Sequence, residues 1–199
     1  MDYSEFIKFY PDFPIKGVNF VDILPFIQDK ALLQNLIDDV ARLCGTANLA
    51  APEARGFLFA PAIQYAPHSP VQTIIPLRKK GKLPSLEGDL VQVEIMKEYG
   101  PDHLFYRRSD LAACIPAGDI IEVTFFDDIL ATGGTSSSMA RSLNEQKITI
   151  GDKVYDVKVK DFVFLVEIDG LPGRSRVEQL APVKSVLHVT KDGPAKIRK

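Results

Sequence analysis

Two adjacent carboxylates, Asp127 and Asp128, are followed at once by Ile129-Leu130-Ala131-Thr132-Gly133-Gly134-Thr135-Ser136. Acids of this kind accept hydrogen bonds from sugar hydroxyls but repel a phosphate. The glycines and hydroxyl residues behind them suit the opposite partner. If a helix begins there, its first backbone N–H groups lack acceptors and lie at the positive end of the helix dipole, which makes an anion site. Together the two halves fit a ligand with a cis-diol a few ångströms from a phosphate, as in a ribose 5-phosphate. The turn lacks the lysine of a G-x-x-x-x-G-K-[ST] loop and is not G-x-G-x-x-G, so neither nucleotide motif applies. A tight strand-to-helix turn with a solvated acid pair is the plainer alternative.

The elements that would hold these groups flank them. Ile120, Ile121, Val123, Phe125 and Phe126 form an apolar, β-rich run over 120–126 that ends in the two acids. Met139 and Leu143, with Ala140, give a helical pattern over 135–146. Upstream, Asp29 starts a helix with Leu32, Leu33, Leu36, Ile37, Val40 and Leu43 on its apolar side and Gly45 past its end. Residues 46–51 read as a short strand of poor β composition, and 52–56 as a turn. A helix over 57–65 follows, with Pro61 in its first turn, then a short buried strand over 71–75. Residues 85–106 read as a long extended excursion, loosely alternating over 87–96 like a solvent-facing hairpin. Residues 147–160 look like an inserted surface hairpin, and 161–168 and 183–189 like two more apolar strands. The Pro- and aromatic-rich residues 10–25 suit a packed extended arm. Strands interleaved with helices predict an α/β fold, a central parallel sheet flanked by helices, with ligands at the strands' carboxyl ends.

Composition narrows the function classes. A chain of 199 residues with 46% hydrophobic and 25% charged residues suits one domain, 1–199, with a sizeable core. A net charge of −2 gives no reason to expect nucleic acid as a partner, although Arg78-Lys79-Lys80-Gly81-Lys82 is a local basic run. Cys44 and Cys114 have no metal spacing, and His68, His103 and His188 are far apart in sequence. Reduced thiols, no zinc site and a cytoplasmic location are expected. No run approaches the roughly 18 apolar residues of a membrane span, and the first residues have no signal-peptide layout.

The stretch from 124 to 136 resembles the phosphoribosyl-diphosphate (PRPP) motif of type I phosphoribosyltransferases. Residues 10–25 resemble the N-terminal Phe-Pro-Asp-Phe-Pro…Gly-Val-x-Phe-Arg-Asp-Ile segment of the adenine phosphoribosyltransferase branch. Glu53-Ala54-Arg55-Gly56-Phe57-Leu58-Phe59 resembles that branch's diphosphate loop. Pro76-Leu77-Arg78-Lys79-Lys80-Gly81-Lys82-Leu83-Pro84 and Glu98-Tyr99-Gly100 are similar to the two ends of its mobile loop.

The resemblance implies the type I fold with an N-terminal hood (about 1–28), a mobile basic loop (about 78–106) and an insertion at about 147–160. It implies transfer of a 5-phosphoribosyl group from PRPP to N9 of adenine, giving AMP and diphosphate. Asp127 and Asp128 would take the ribose hydroxyls, and Ala131, Thr132, Gly133, Gly134 and Thr135 the 5′-phosphate. Arg55, Gly56, Arg78, Lys79 and Lys82 would bind diphosphate, Glu98 would serve as acid–base group, and Asn19, Phe20, Val21 and Ile168 would surround the base. Mg²⁺ would be held by substrate oxygens and water, without a protein ligand. A homodimer is implied, in which part of the loop reaches the neighbouring subunit's site. Two positions depart from the pattern: Val21 replaces an arginine and Asn19 a commonly apolar residue. Turnover of another 6-substituted purine, or a PRPP-sensing regulator without turnover, are the alternatives. Nothing in the chain reads as the DNA-binding element such regulators generally carry.

Overall fold

A computed structural model describes residues 3–97, 100–191 and 193. After a 3₁₀ turn (Ser4–Phe6), β1 (Lys8–Pro11) and β2 (Asn19–Asp22) form a separate antiparallel hairpin. There follow α1 (Pro25–Gln28), α2 (Lys30–Leu43), β3 (Asn48–Pro52), α3 (Arg55–Tyr65), β4 (Thr73–Lys79), β5 (Leu90–Lys97) and β6 (Gly100–Arg107). The chain continues through α4 (Arg108–Ala112), β7 (Ile120–Leu130), α5 (Gly134–Asn144), β8 (Lys147–Ile150), β9 (Lys153–Asp169), α6 (Gly173–Val177) and β10 (Val183–Thr190).

The main sheet runs β10-β9-β7-β3-β4-β6-β5, with β8 added against β9. Its pairs β10–β9, β9–β7, β7–β3 and β3–β4 are parallel, as the alternation of strands and helices implies. A parallel sheet is covered on both faces, and successive side chains of β7 serve both. Phe126 joins the core beneath α2, α3 and the N-terminal hairpin, with Phe26, Leu36, Val40 and Phe59. Phe125 joins the core beneath α5 and the β5–β6 ribbon, with Met139, Leu143, Tyr106 and Phe162. Full burial of each such phenylalanine contributes roughly 1.5–3 kcal/mol. Asp29 caps α2, its Oδ1 accepting from Leu32 N–H at 2.8 Å, as its place before the periodic run predicts.

Several boundaries differ from the sequence reading. The acid pair lies inside β7, which continues through Ile129 and Leu130 and does not end at the acids. α3 begins at Arg55 rather than residue 57, so Pro61 is interior to the helix and not in its first turn. The strand expected over 71–75 is Thr73–Lys79, which takes Arg78 and Lys79 out of the loop and into the sheet. Residues 90–97 and 100–107 form no solvent-facing excursion. They are an antiparallel ribbon whose Val93, Ile95, Leu104 and Tyr106 are buried, because every second residue meets α5 and the sheet. The 147–160 insertion does turn at Gly151, but its second half is the opening of the 17-residue β9. Ile148, Val157 and Val159 are buried, so the hairpin belongs to the sheet.

The largest difference is β3. Its composition is poor for a strand, yet all five residues are buried between β7 and β4. Asn48 explains how a polar residue is tolerated there. Its Nδ2 donates to Ile115 O at 2.9 Å and Glu122 O at 2.7 Å. Its Oδ1 accepts from Thr73 Oγ1 and from Ile115 N–H, each at 2.8 Å. Asn48 thus ties three segments by side-chain bonds that an apolar residue could not make. Asn48→Ala should leave these buried groups unpaired and cost about 3 kcal/mol or more in urea denaturation. A loss below about 1 kcal/mol would show that solvent replaces the network.

Candidate active site

A cleft of about 300 Å³ opens at the carboxyl ends of the parallel strands, lined by Glu53, Ala54 and Arg55 from the β3–α3 turn, Lys79 of β4, Asp102 of β6, Asp127 and Asp128 of β7 and Thr135 of α5. Parallel α/β sheets bind ligands at this edge, because loops diverge there and helix N-termini point into it.

The anion half is built around Gly133. Its φ of 70° is left-handed, and it caps α5, whose end receives no side-chain cap. A Cβ on Gly133 would lie 3.0 Å from Gly173 O, and one on Gly173 would lie 2.2 Å from Ala131 O. Residues 131–133 are therefore seated directly on the start of α6, and only glycine permits that approach. The first amides of α5, at Gly134, Thr135 and Ser136, have no intrahelical acceptor and carry the positive end of the dipole. Ser137 is turned inward, its Oγ donating to Gly134 O at 3.1 Å. Ala131, Thr132, Gly133, Gly134 and Thr135 are thus brought together in one turn, with Thr135 on the cleft wall.

The acid half stands beside it. Asp127 is half-buried and its Oδ1 accepts from Asp128 N–H at 2.9 Å. Asp128 is only 4% exposed. Its Oδ2 is 2.8 Å from Arg55 Nε, yet it receives no hydrogen bond of good geometry. The two facts agree if the guanidinium acts as a counter-charge while its N–H vectors point elsewhere. Burial, and then the charge of Asp128, push the Asp127 carboxyl well above the ordinary carboxylate range. Gly56 lets the α3 turn close over this floor: a Cβ there would lie 3.2 Å from Pro52 Cδ and 3.5 Å from Asp127 Oδ1. The Arg55 guanidinium also stands 5.5 Å from the Phe20 ring centroid, linking the β1–β2 hairpin to the cleft.

The remaining candidates divide. Lys79 lines the cleft, whereas Arg78 turns to Glu53 and to the Phe57 ring, and Lys82 is exposed in the turn beyond β4. Val21 is 4% exposed within the core under the hairpin, so its side chain is not presented to a ligand. Asn19 Nδ2 makes a long 3.4 Å bond to Lys191 O, and its Oδ1 is enclosed without a partner. Ile168 of β9 is half-buried against the same core. Glu98 and Tyr99 lie outside the described residues. Glu53 heads the diphosphate-loop motif and Asp102 lies in the 78–106 loop, neither given a role of its own by the sequence, yet both line the cleft. Asp102 ends an alternating row with Leu104 and Tyr106 on β6, a pattern that finds it once the strand is known.

Among the described residues, the one His/carboxylate group with metal-ligand proximity is Glu167, Asp169 and His188. It does not line the cleft, and Arg174 already holds both oxygens of Glu167, at 2.7 and 2.6 Å. Burial pushes the thiols of Cys44 and Cys114 up to about 12 and about 11, which disfavours the thiolate at neutral pH. Among the described residues no helix is long and apolar enough to cross a membrane. The cleft can thus hold an anion at α5, hydroxyl groups at the acids, and a second anion between Arg55 and Lys79.

No protein-family model matches the chain. It is 33% identical over 189 residues to the adenine phosphoribosyltransferase of Mesoplasma florum, covering 94% of this chain and 99% of that one. It is similar in structure to the adenine phosphoribosyltransferase of Thermoanaerobacter pseudethanolicus, with TM-score 0.75, 31% identity and coverage of 92% and 96%. The Saccharomyces cerevisiae enzyme, solved with D-2,5-dideoxy-2,5-imino-altritol 1,6-bisphosphate and adenine, gives TM-score 0.73 and 30% identity, with coverage of 93% and 98%.

The environment of Asp127 has a consequence for stability. Its folded carboxyl holds a proton more tightly than the unfolded chain does, so the fold loses stability as pH rises from the ordinary carboxylate range through the raised pKa. Asp127→Asn should therefore raise Tm at about pH 7, with the gain shrinking toward about pH 4. An equal change at both pH values in calorimetry would exclude a buried charge as its source.

Proposed function

The chain belongs to the adenine phosphoribosyltransferase family, and from that premise we propose that it is a purine salvage enzyme transferring the 5-phosphoribosyl group of PRPP to N9 of adenine, with AMP and diphosphate as products. The observation that carries this reading is the meeting, in one cleft, of the uncapped α5 N-terminus, the Asp127–Asp128 pair and Arg55.

In this mechanism the 5′-phosphate sits on the amides of α5 and the hydroxyl of Thr135, while the acids accept from the ribose 2′- and 3′-hydroxyls. Substrate hydroxyls supply the donors that Asp128 Oδ2 lacks. The same carboxylates stand beneath the sugar as positive charge develops at its anomeric carbon, and stabilise it electrostatically. Arg55 and Lys79 face the departing diphosphate. The acidic floor would suit a hydrated cation, which Asp127 and Asp128 would hold through water. When bound, Mg²⁺ neutralises charge on the diphosphate. Glu98 takes the proton from the purine as N9 attacks.

The base is read by the backbone of the β1–β2 hairpin, with Phe20 and Ile168 as apolar walls. Val21 is buried in the core, so the hydrogen bonds to adenine are left to the hairpin's backbone groups. We further propose one catalytic domain over 1–199 and a homodimer. Leu58 and Tyr65, the latter 92% exposed, form an apolar face on α3 that a second copy would cover. The buried free thiols of Cys44 and Cys114 suit the reducing cytoplasm, to which we assign the enzyme.

AMP formation from adenine, PRPP and Mg²⁺ is the direct test. Adenine should exceed hypoxanthine and guanine in kcat/KM by roughly 5- to 150-fold, since a 6-oxo group leaves a buried acceptor unpaired. Preference for a 6-oxo base, reversed in Asn19→Val, would transfer the choice to Asn19. Combined Asp127→Asn and Asp128→Asn should raise KM for PRPP and lower kcat while the fold persists. Unchanged constants would remove the acids from the ribose site. Glu98→Gln should lower the single-turnover rate about 10²- to 10⁴-fold with little change in substrate binding. A full-speed chemical step would place proton transfer elsewhere.

A further inference from the structure

The turn at 131–133 is held from behind by residues that do not line the cleft. α6 has five residues, too few to be stable alone, so its place is set by what it is tied to. Its second residue, Arg174, grips Glu167 of β9 with two donors: Nε donates to Oε1 at 2.7 Å and Nη2 to Oε2 at 2.6 Å. Nη1 reaches Val183 O at 3.3 Å, and Ser185 Oγ donates to Glu167 Oε2 at 2.8 Å. The Glu167 side chain is only 5% exposed. In the sheet Glu167 stands in register with Leu130 of β7, the residue just before Ala131. The residue just before Arg174 is Gly173, which is pressed against Ala131 O and Gly133. The contacts close a circuit: Leu130 to Glu167 across the sheet, Glu167 to Arg174, Arg174 to Gly173 along α6, and Gly173 back to Ala131.

We infer that Arg174 and Glu167 are positioning residues for the 5′-phosphate site, fixing Gly173 against residues 131–133 and so setting where the first amides of α5 point. Their role rests on the proposed phosphoribosyl transfer, and neither touches the substrate. Backbone amides cannot be re-aimed by a change of rotamer, so a cradle of amides depends on what its turn is seated against. A planar guanidinium meets both oxygens of one carboxylate at once, a fit that the single ammonium of a lysine cannot reproduce. A glutamine at 167 would turn its N–H₂ toward one of the guanidinium's own donors. The pair also stands on the β9 side of β7, whereas Arg55 and Lys79 come from the β3–α3 turn and β4 on the other side. Breaking it should disturb the phosphate cradle and leave the diphosphate subsite in place.

Full-length Glu167→Gln, Arg174→Met, Arg174→Lys, Gly173→Ala and the Glu167→Gln/Arg174→Met double variant test this. Calorimetric titrations with ribose 5-phosphate and, separately, with diphosphate and Mg²⁺ would be combined with steady-state kinetics and a Tm for each protein. Every single variant should raise Kd for ribose 5-phosphate and lower kcat/KM for PRPP by roughly 10- to 100-fold. Kd for diphosphate should stay within about twofold of wild type, because its subsite is built on separate elements. The double variant should be no worse than the worse single one, since both substitutions break the same contact. Arg174→Lys keeps the charge but not the fork, so it should behave like Arg174→Met. Gly173→Ala leaves the ion pair intact and strikes the turn directly, which keeps the test informative if Arg174→Met does not fold. A lowered Tm with wild-type affinity for ribose 5-phosphate would give the pair a role in stability alone and overturn the proposal. Equal losses for ribose 5-phosphate and diphosphate, or near wild-type behaviour of Arg174→Lys, would overturn it as well. A wild type that forms no AMP and binds neither ligand would overturn the functional reading, and the positioning role with it.

Discussion

Asp127 and Asp128 leave the interior of the sheet with the Arg55 guanidinium as the counter-charge within ion-pair distance of Asp128. Placing two adjacent carboxylates at the floor of a cleft is costly unless charge or hydrogen-bond donors meet them. Much of the architecture follows from that requirement. Arg55 reaches Asp128 because β3 lies directly beside β7, so that the turn after β3 opens next to the acids. It can close there because residue 56 has no side chain to strike Pro52. The counter-charge is thus a product of strand order as much as of residue type.

The neighbouring anion site obeys a different constraint. Its donors are backbone amides, whose positions depend on where α5 starts and not on which side chains surround it. Gly133 supplies the left-handed turn that starts the helix, and Gly173 supplies the close approach that holds the turn in place. In the proposed reaction an acid floor and an amide cradle, side by side, would distinguish the hydroxyl and phosphate ends of one substrate. The raised pKa of Asp127 makes its charged form oppose stability at neutral pH, a common trade at sites built to bind.

The hairpin at the N-terminus handles the family's variable positions in the same spirit. Val21 packs inward where relatives of the pattern carry an arginine, and the hairpin's contact with the cleft is made by Phe20 against Arg55. Backbone groups of such an arm can distinguish an amino from an oxo purine whatever the side chain at that position. The 147–160 segment is likewise absorbed into regular structure, lengthening β9 and pairing it with β8.

The motif from 124 to 136, the helix begun at Asp29, the apolar strands at 161–168 and 183–189 and the parallel α/β class were all legible in the sequence, since each rests on local periodicity or on a short stretch of fixed chemistry. The family was legible too, from the order along the chain of residues 10–25, 53–59 and 76–84. Tertiary structure alone decided the rest. β3 is a poor strand by composition and becomes a buried one because β7 and β4 pair with both its edges and Asn48 makes four hydrogen bonds to three residues. The ribbon over 90–107 alternates too loosely to reveal its buried face until α5 packs on it. Arg78 looks the same in sequence as Lys79. Which of the two lines the cleft depends on Glu53, 25 residues earlier, being brought against β4 by a parallel pairing that no local pattern encodes.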